Sequence, residues 1–443
     1  LIRTARRDLA AGDVARAASR YEMAFAAAPH SVAVLIGLGH CYGRLGRHAE
    51  AVALLLRAGQ ELARGLRRGD DGGAWCDVVL ELQRIPAHRE ALRQVDRLLK
   101  RVPTCARGHH LRALALERLG DPEAACRAAA RAHALAPGES NAAILLATLH
   151  ARCARLDAAR TLLEGIAART RDPNRGRAIF ELGRVLDRLG ECDAAFEALQ
   201  EAGRIALANP PVSQFDPEAL GREIAIEQTH CTHEWFARWA AGQDAQSPRD
   251  PVFVIGFYRS GTTLLERLLD AHSGIAVAGE TDLIPDLLRD LAQQAPVAGH
   301  WTVRLAALGH AGARRLRERF WRRAEALVGP AARTALFIDK TALNTLNAAF
   351  MRAVFPQARF IFALRDPRDV VLSCFMQAFV PDPLTAHFLD WERGARCYDT
   401  VLSHWHYLCD VLGFTAMPLR YEDLVADPRG ALTPVLAGFD LCW

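Results

Sequence analysis

The segment from Val252 to Thr263 constrains the fold of this 443-residue chain more than any other segment. Its first four residues, Val252 to Ile255, are all apolar and predict a buried β-strand. A turn bracketed by Gly256 and Gly261 follows, and two threonines then open a helix. Glycines permit a tight turn and let the backbone approach an anion closely. Successive backbone N–H groups and the positive end of the helix dipole therefore form a cradle for a phosphate-like group.

This loop resembles the phosphate-binding loop of nucleotide hydrolases but lacks its lysine. In the pattern G-x-x-x-x-G-K-[ST], Thr262 stands where the lysine is expected, and the cation lies inside the loop at Arg259. The loop is more similar to the 5′-phosphosulfate loop of the sulfotransferases. That resemblance implies that Arg259 and the following amides and hydroxyls hold the 5′-phosphosulfate of a nucleotide donor. The residues that would supply these amides and hydroxyls are Ser260, Gly261, Thr262 and Thr263.

Two later strands carry the other half of the resemblance. Leu336 to Lys340 is typical of a core strand that ends in two charged residues, and Arg359 to Arg365 of another strand. A helix follows and carries Ser373, eight residues after Arg365. A strand, a terminal arginine and a serine at this spacing resemble the 3′-phosphate site of the sulfotransferases. The resemblance implies that Arg365 and Ser373 bind the 3′-phosphate of 3′-phosphoadenosine-5′-phosphosulfate (PAPS).

Composition draws attention to Lys340. Of the 55 lysines and arginines, only Lys100 and Lys340 are lysines. Lysine and arginine are not interchangeable where a compact, mobile charge is needed. We therefore expect Lys340 to neutralise charge on the leaving 5′-phosphate or on the transferring sulfuryl group. The alternative is a lysine that persists by chance on the surface.

Glu280 is the candidate general base. It closes the strand-like segment Ile275 to Gly279 and lies 21 residues after Arg259. The order R-S-G-T-T, then G-E-T-x-x-I-P, resembles the tyrosylprotein sulfotransferase branch, in which a glutamate at this place accepts the proton of the acceptor hydroxyl. The alternative is an acidic residue that only stabilises a helix N-terminus through the helix dipole.

The second half of the chain alternates strands and helices. Strands are predicted at 252–255, 275–278, 334–338, 359–364 and 417–420. Such alternation predicts a parallel sheet that binds its ligand at the C-terminal ends of the strands. Tyr421 follows the last of these strands, and the resemblance implies that it lies beside the adenosine. Plain core packing of Tyr421 is the alternative.

The first half is predicted to be an array of helical repeats. Residues 1 to about 205 are rich in alanine, leucine and arginine at helical spacing, with a period near 34. Pro103 and Pro137 are 34 residues apart, and Gly120 and Gly190 are 70 apart, close to two periods. This pattern resembles the tetratricopeptide repeat, and a generic alanine-rich bundle is the alternative. Whether the groove of the array binds a peptide or partner protein, or the array serves as a dimerisation platform, stays open.

The expected fold is an N-terminal α-solenoid of tetratricopeptide-like repeats followed by a P-loop-like α/β sulfotransferase domain with a central parallel sheet. Because Pro210 and Pro211 break the helical pattern, we place the end of the repeats just before them. The expected parts are repeats at 1–207, a helical bridge and linker at 208–250, and the sulfotransferase domain at 251–443. Sulfotransferases continue into a further segment that covers PAPS and the acceptor, so we expect the C-terminal end to be truncated.

Composition gives no indication of nucleic acid, membrane or metal. A net charge of +4 is too small to indicate nucleic acid or an anionic membrane as the main partner. No apolar run is long enough to span a membrane, and no cluster of carboxylates indicates a metal. The 11 cysteines are scattered without a C-x-x-C pair, which is typical of buried thiols in a reducing compartment. Together with the arginine bias, this indicates a bacterial cytoplasmic protein, and its oligomeric state stays open.

These observations predict a PAPS-dependent sulfotransferase that moves the sulfuryl group in line to a hydroxyl, with a protein or peptide tyrosine as one candidate acceptor. The whole chain resembles the bacterial repeat-containing sulfotransferases. Two alternatives remain: a non-catalytic repeat scaffold with a nucleotide-binding domain, and a P-loop kinase. The missing loop lysine argues against the kinase, and the intact set of charged site residues argues against the scaffold.

Overall fold

The computed structural model divides the chain into two compact units, Leu1–Ala202 and Gly203–Trp443. The residues that the structure describes are 1–65, 71–241, 250–295 and 297–443. Most of the expected linker, residues 242–249, therefore lies outside the described residues. Within the described ranges, no helix combines the length and the apolar character needed to cross a membrane.

In its described residues the first unit consists of helices, and from the first helix to the eleventh each helix packs against the next one along the chain. The boundary between the units falls inside the last of these helices. The helices are α1 (Ile2–Ala10), α2 (Val14–Ala27), α3 (Val32–Arg44), α4 (His48–Gly65), α5 (Gly73–Arg84), α6 (His88–Arg101), α7 (Ala106–Arg118), α8 (Pro122–Leu135), α9 (Ser140–Arg152), α10 (Leu156–Ala167), α11 (Arg175–Leu189) and α12 (Cys192–Leu207).

The small residues of the repeat pattern lie where these helices meet or end. Ala51 and Ala125 are fully buried, and a Cβ atom on Gly183 would come within 2.7 Å of Cγ of Leu199. Gly190 follows α11 with a φ of +82°, the left-handed conformation that commonly ends a helix. The expected helical repeat region is confirmed.

The second unit contains a five-stranded sheet with helices between its strands. Three stretches of 3-10 helix occur at Val212–Gln214, Ala342–Asn347 and Thr385–Leu389. The other elements are α13 (Ala219–His230), α14 (His233–Ala240), β1 (Val252–Gly256), α15 (Thr262–Asp270), β2 (Ile275–Val277), α16 (Leu283–Gln294), α17 (Trp301–Val328), α18 (Ala331–Thr334), β3 (Leu336–Lys340), α19 (Ala348–Val354), β4 (Arg359–Leu364), α20 (Pro367–Phe375), α21 (Trp391–Leu412), β5 (Met417–Arg420), α22 (Tyr421–Ala426) and α23 (Pro428–Ala437).

The sheet has the strand order β2-β3-β1-β4-β5, and every adjacent pair is parallel. All five residues of β1 are buried, because helices cover both faces of this central strand. Phe253 and Ile255 contribute to the core on one face, and Val252 and Val254 to the core on the other. The C-terminal end of β1 therefore lies between the ends of β3 and β4, which confirms the expected parallel α/β domain.

Three of the predicted strand ranges differ from the observed strands. The strand β1 extends to Gly256, and β2 ends at Val277. The range 334–338 is wrong, because the residues before Leu336 form the short helix α18, whereas the strand predicted from Leu336 to Lys340 is confirmed.

The cysteines are not uniformly buried, contrary to expectation. The buried ones are Cys41, Cys76, Cys126, Cys231, Cys374 and Cys397. Cys192 and Cys442 are exposed, and the remaining three are partly exposed. Only some of the cysteines are therefore core side chains.

Candidate functional site

The glycine-bracketed loop is anchored at its start by a threonine from a distant part of the chain. The N–H of Gly256 donates to Oγ1 of Thr345 at 2.9 Å, and that hydroxyl lies 2.6 Å from the carbonyl oxygen of Gly256. Gly256 has a φ of +155°, and a Cβ atom there would come within 2.6 Å of the carbonyl oxygen of Ala363 on β4. Only glycine fits this position, so the end of β1 is held tightly against its neighbour.

The loop then turns through two residues in the left-handed region. Arg259 has a φ of +63° and Gly261 a φ of +84°. Left-handed residues in such a turn direct successive N–H groups into one concave surface. The side chains of Ser260 and Thr262 are buried, whereas Thr263 is exposed on the first turn of α15. With no acidic residue in its first turn, α15 presents its positive dipole end to this concavity.

Four of the residues expected to bind the donor meet around this loop. Nη1 of Arg365 donates to the carbonyl oxygen of Arg259 at 3.1 Å, and Nε of Arg259 donates to Oγ of Ser373 at 2.9 Å. The guanidinium carbon of Arg365 lies 4.7 Å from the ring centroid of Tyr421. The loop, the end of β4, α20 and the start of α22 are therefore joined by direct contacts.

One donor atom in this cluster is left without a partner. Nε of Arg365 is buried, and nothing among the described residues accepts its hydrogen bond. The neighbouring Nη2 lies 3.5 Å from Oδ2 of Asp369, a carboxylate with an exposed side chain. A buried guanidinium donor without an acceptor loses a hydrogen bond that water would supply, so it is suited to an anionic ligand.

Hydrogen bonds at the turn after β4 fix Arg365 and Tyr421 with respect to each other. The side chain of Asp366 caps α20 by accepting from the N–H of Arg368 at 2.9 Å. Its own N–H donates to Oε1 of Glu422 at 2.8 Å. Hydrogen bonds from the side chain and backbone of Arg368 lower the pKa of Asp366 to about 2. The cap therefore stays ionised at neutral pH.

Lys340 lies at the end of β3 between two carboxylates. Its Nζ is 2.8 Å from Oε1 of Glu280 and 2.9 Å from Oε2 of Glu266. The Lys340 side chain is 2% exposed, that of Glu266 is 19% exposed and that of Glu280 is 70% exposed. The structure thus brings the expected base and the expected cation into direct contact. It also adds Glu266, which the sequence analysis did not identify.

The sequence did contain a signal for Glu266. A lysine at the end of a fully buried strand needs an anionic partner, because an isolated buried charge is strongly unfavourable. Glu266 lies between the buried Leu265 and Leu269 on the helix that directly follows the loop. Because Lys340 needs an anionic partner, an acidic residue next to the apolar face of that helix is the candidate for that partner.

The loop that carries Glu280 is tied to β3 on both sides of that residue. The N–H of Ala278 donates to the carbonyl oxygen of Ile338 at 2.9 Å. Thr281 donates through Oγ1 to Oδ1 of Asp339 at 3.1 Å. Asp339 is completely buried, and burial raises its pKa to about 7. Asp339 therefore holds this loop through Thr281, and Lys340 holds it through Glu280 itself.

The expected site residues therefore form two groups at the same edge of the sheet. One group surrounds Arg259, and the other surrounds Lys340 at the end of the adjacent strand β3. Cationic side chains and helix N-termini at strand ends are suited to a doubly anionic ligand. In the part of the chain that the structure describes, no group of three histidine, cysteine, aspartate or glutamate side chains is arranged to hold a metal ion.

Comparison with known proteins identifies the domains. The profile described as "Sulfotransferase family" matches residues 251–443, and two tetratricopeptide repeat profiles match residues 8–64 and 88–140. Protein-tyrosine sulfotransferase A of Caenorhabditis elegans is 25% identical over 194 residues, which are 43% of this chain and 50% of that protein.

Two further proteins resemble larger shares of the chain. An uncharacterized protein of Aquifex aeolicus is 25% identical over 279 residues, which are 61% of this chain and 35% of that protein. A solved structure of Pseudomonas aeruginosa pilF covers 48% of this chain and 93% of its own, with 15% identity and a TM-score of 0.37.

The chain spans between a third and a half of the length of these two curated relatives. Both resemblances noted in the sequence, to the sulfotransferases and to the tetratricopeptide repeat, are confirmed by the profile matches. The protein therefore combines tetratricopeptide repeats with a domain of the sulfotransferase family that is homologous to the protein-tyrosine sulfotransferases.

Proposed function

We propose that this protein transfers the sulfuryl group of PAPS to a hydroxyl group, with a tyrosine of a protein or peptide as the acceptor. The observation that carries the proposal is the contact between Lys340 and Glu280. This contact lies at the edge of the sheet where the glycine-bracketed loop begins. A cation for the leaving group and a carboxylate for the acceptor proton are the two groups that such a transfer requires. The homology to protein-tyrosine sulfotransferases supports the tyrosine as acceptor.

The residues around the loop fit an adenosine 3′,5′-diphosphate group. Ser373 and the unpaired Nε of Arg365 supply donors for the 3′-phosphate. Arg259, the amides of residues 260–263 and the N-terminus of α15 supply donors for the 5′-phosphosulfate. Tyr421 lies against Arg365 and offers an aromatic face to the adenosine. Each charged hydrogen bond of this kind contributes about 1.5–3 kcal/mol, or roughly 10- to 100-fold in affinity.

The chemistry follows from where these groups lie. PAPS supplies an activated sulfuryl group whose bridging oxygen joins sulfur to the 5′-phosphate. Glu280 accepts the proton of the acceptor hydroxyl as its oxygen forms the new bond to sulfur. The bond between sulfur and the bridging oxygen breaks, and its electron pair stays on that oxygen of the 5′-phosphate. Lys340 neutralises the resulting negative charge. Arg259 and the loop amides hold the group in line, so positioning and charge neutralisation provide the catalysis.

The tetratricopeptide repeats provide a surface for a protein or peptide partner. Arrays of this kind present their helices along a groove in which a peptide can bind. We propose that this groove recruits the protein whose hydroxyl is modified. We also propose a cytoplasmic location, since buried thiols such as Cys41 and Cys374 are compatible with a reducing compartment.

Transfer of radioactive sulfate tests the proposed function. The wild-type protein, Glu280→Gln and the control Asp282→Asn are incubated with 35S-labelled PAPS and synthetic tyrosine peptides. Asp282 is an exposed acid on the same loop, so its variant controls for a lost charge. We expect label on the peptide with wild type and Asp282→Asn, and a loss of about 100-fold or more with Glu280→Gln.

Other outcomes distinguish the alternatives. Equal transfer by Glu280→Gln would contradict the role of Glu280 as the base. Transfer of phosphate from labelled ATP, without transfer from PAPS, would favour the P-loop kinase. No transfer from either nucleotide would favour the repeat scaffold.

A further inference from the structure

The proposed function assigns separate tasks to Lys340 and Glu280, yet the two side chains are paired at 2.8 Å. While the pair is closed, Oε1 of Glu280 faces the ammonium group and not an acceptor hydroxyl, and the ammonium group has one N–H fewer to donate to an anion. The pair must therefore open when the donor is bound. Glu280 can leave easily, because 70% of its side chain is already exposed to water.

Lys340 cannot leave in the same way. Its side chain is 2% exposed, and a buried ammonium group without a counter-charge is strongly unfavourable. Glu266 is the one other carboxylate that the described part of the chain places within ion-pairing distance of its Nζ, at 2.9 Å. When Glu280 leaves, Glu266 keeps the charge of the lysine compensated.

Glu266 is also placed to couple the lysine to the anion-binding loop. It lies on α15, one turn after the helix begins at Thr262. Its Oε2 contacts Lys340, while its Oε1 lies 3.4 Å from the position that a Cβ atom on Gly279 would occupy. This carboxylate therefore lies beside Gly279, directly before Glu280. Glu266 thus lies on the helix that follows the loop, contacts Lys340 and lies beside the segment that carries Glu280.

We propose that Glu266 is a positioning residue that holds Lys340 in place when donor binding separates Glu280 from it, so that the base is released only in the loaded enzyme. The inference rests on the proposed function, because it assumes that an anionic nucleotide binds beside Lys340. No bond is made or broken by Glu266 itself. Its role is to remain the counter-ion of the lysine after Glu280 has left.

The composition of the chain makes a direct spectroscopic test available. Lys100 and Lys340 are the only lysines, so a protein labelled with 13C at the lysine Cε gives two signals. Lys100 is exposed on α6 in the first unit and serves as the internal reference, and Lys100→Arg assigns the two signals. Spectra are recorded with and without 3′,5′-diphosphoadenosine for wild type, Glu266→Gln, Glu266→Asp and Asp270→Asn. Asp270 is the matched control, an exposed acid one turn further along α15.

We expect the nucleotide to shift the Lys340 signal, but not the Lys100 signal, in wild type and in Asp270→Asn. In Glu266→Gln, Lys340 keeps Glu280 as its partner, so the shift is lost and the nucleotide binds about 10-fold more weakly or worse. Glu266→Asp keeps the charge and is expected to restore the shift in part. Thermal unfolding shows that each variant is folded under the conditions of the spectra.

Three results would overturn the inference, and they are distinguishable from one another. If the wild type shows the shift and Glu266→Gln shows the same shift and affinity, Glu266 is not needed to retain the lysine while the proposed function stands. If the wild type binds no nucleotide, the proposed function fails and this inference fails with it. If Asp270→Asn weakens nucleotide binding as much as Glu266→Gln does, the inference is also contradicted. The loss would then come from the net charge of α15 and not from the contact between Glu266 and Lys340.

Discussion

The aromatic ring of Tyr421 occupies the space that a side chain on Gly261 would need. A Cβ atom on Gly261 would come within 2.3 Å of Cδ2 of Tyr421, and the φ of +84° also favours glycine. The second glycine of the loop is therefore required by its partner from α22 as well as by the turn itself. This contact joins the loop to the residue that we expect beside the adenosine.

Gly261→Ala should lower nucleotide affinity more than its effect on stability explains. A left-handed alanine costs about 1–2 kcal/mol in any context. Here the methyl group also displaces the tyrosine ring and the loop amides, and a shift of about 1 Å at such a site can cost roughly 100-fold. The control is Gly413→Ala, which has a φ of +64° and nothing within 4 Å of the added methyl group. Calorimetry with 3′,5′-diphosphoadenosine should show a loss for Gly261→Ala only; similar affinities in both variants would refute the steric argument.

Arg365→Ala should abolish the preference for a nucleotide that carries a 3′-phosphate. The wild-type protein is expected to bind 3′,5′-diphosphoadenosine more tightly than AMP. Loss of the guanidinium should reduce the ratio of these two affinities by about 10- to 100-fold. Arg368→Ala is the control, since the Arg368 side chain is 87% exposed and pairs with Asp366. The preference is measured by competition between the two nucleotides. An unchanged preference in Arg365→Ala would move the 3′-phosphate site elsewhere.

Asp339→Asn should stabilise the protein increasingly as pH rises. The carboxyl has an ordinary pKa of 3.8, which burial raises to about 7 in the folded protein. Between these values the unfolded chain has lost a proton that the folded protein keeps. The free energy of unfolding of the wild type therefore falls by about 1.4 kcal/mol per pH unit in this window. Below and above the window, titration of this carboxyl does not change it further.

Urea unfolding of wild type and Asp339→Asn at pH 4.5, 5.5, 6.5 and 7.5 measures this difference. Asparagine still accepts the hydrogen bond from Thr281, so the variant isolates the ionisation from the contact. The stability advantage of the variant should grow with pH up to about 7. A constant difference across the series would mean that Asp339 titrates normally despite its burial.

Local sequence signals predicted the loop and the strands around it. Apolar runs such as Val252 to Ile255 are continuous because the strand is buried on both faces, and the glycines mark positions where a side chain would collide with a neighbour. These features depend on residues that are close together in the chain. Their placement at one sheet edge then follows from the parallel topology.

The residues that support the site were not predictable in this way. Thr345 binds Gly256 across 89 positions of sequence, and Glu266 binds Lys340 across 74. Thr345 gives no local sign of its distant partner. For Glu266 the signal is indirect, because the need of the buried Lys340 for an anionic partner does not by itself show where in the chain that partner lies. The contact between Arg259 and Ser373 was likewise unexpected, since the resemblance assigned these residues to different phosphates. Through-space partners of this kind require the fold before they can be recognised.

The most direct test of the central claim is calorimetric titration of the wild-type protein with 3′,5′-diphosphoadenosine, AMP and ATP on one sample. The account predicts that 3′,5′-diphosphoadenosine binds at least 10-fold more tightly than either of the other two, because only it carries phosphates for both the loop and Arg365. A preference for ATP, or equal affinity for all three nucleotides, would contradict the assignment of this site to PAPS.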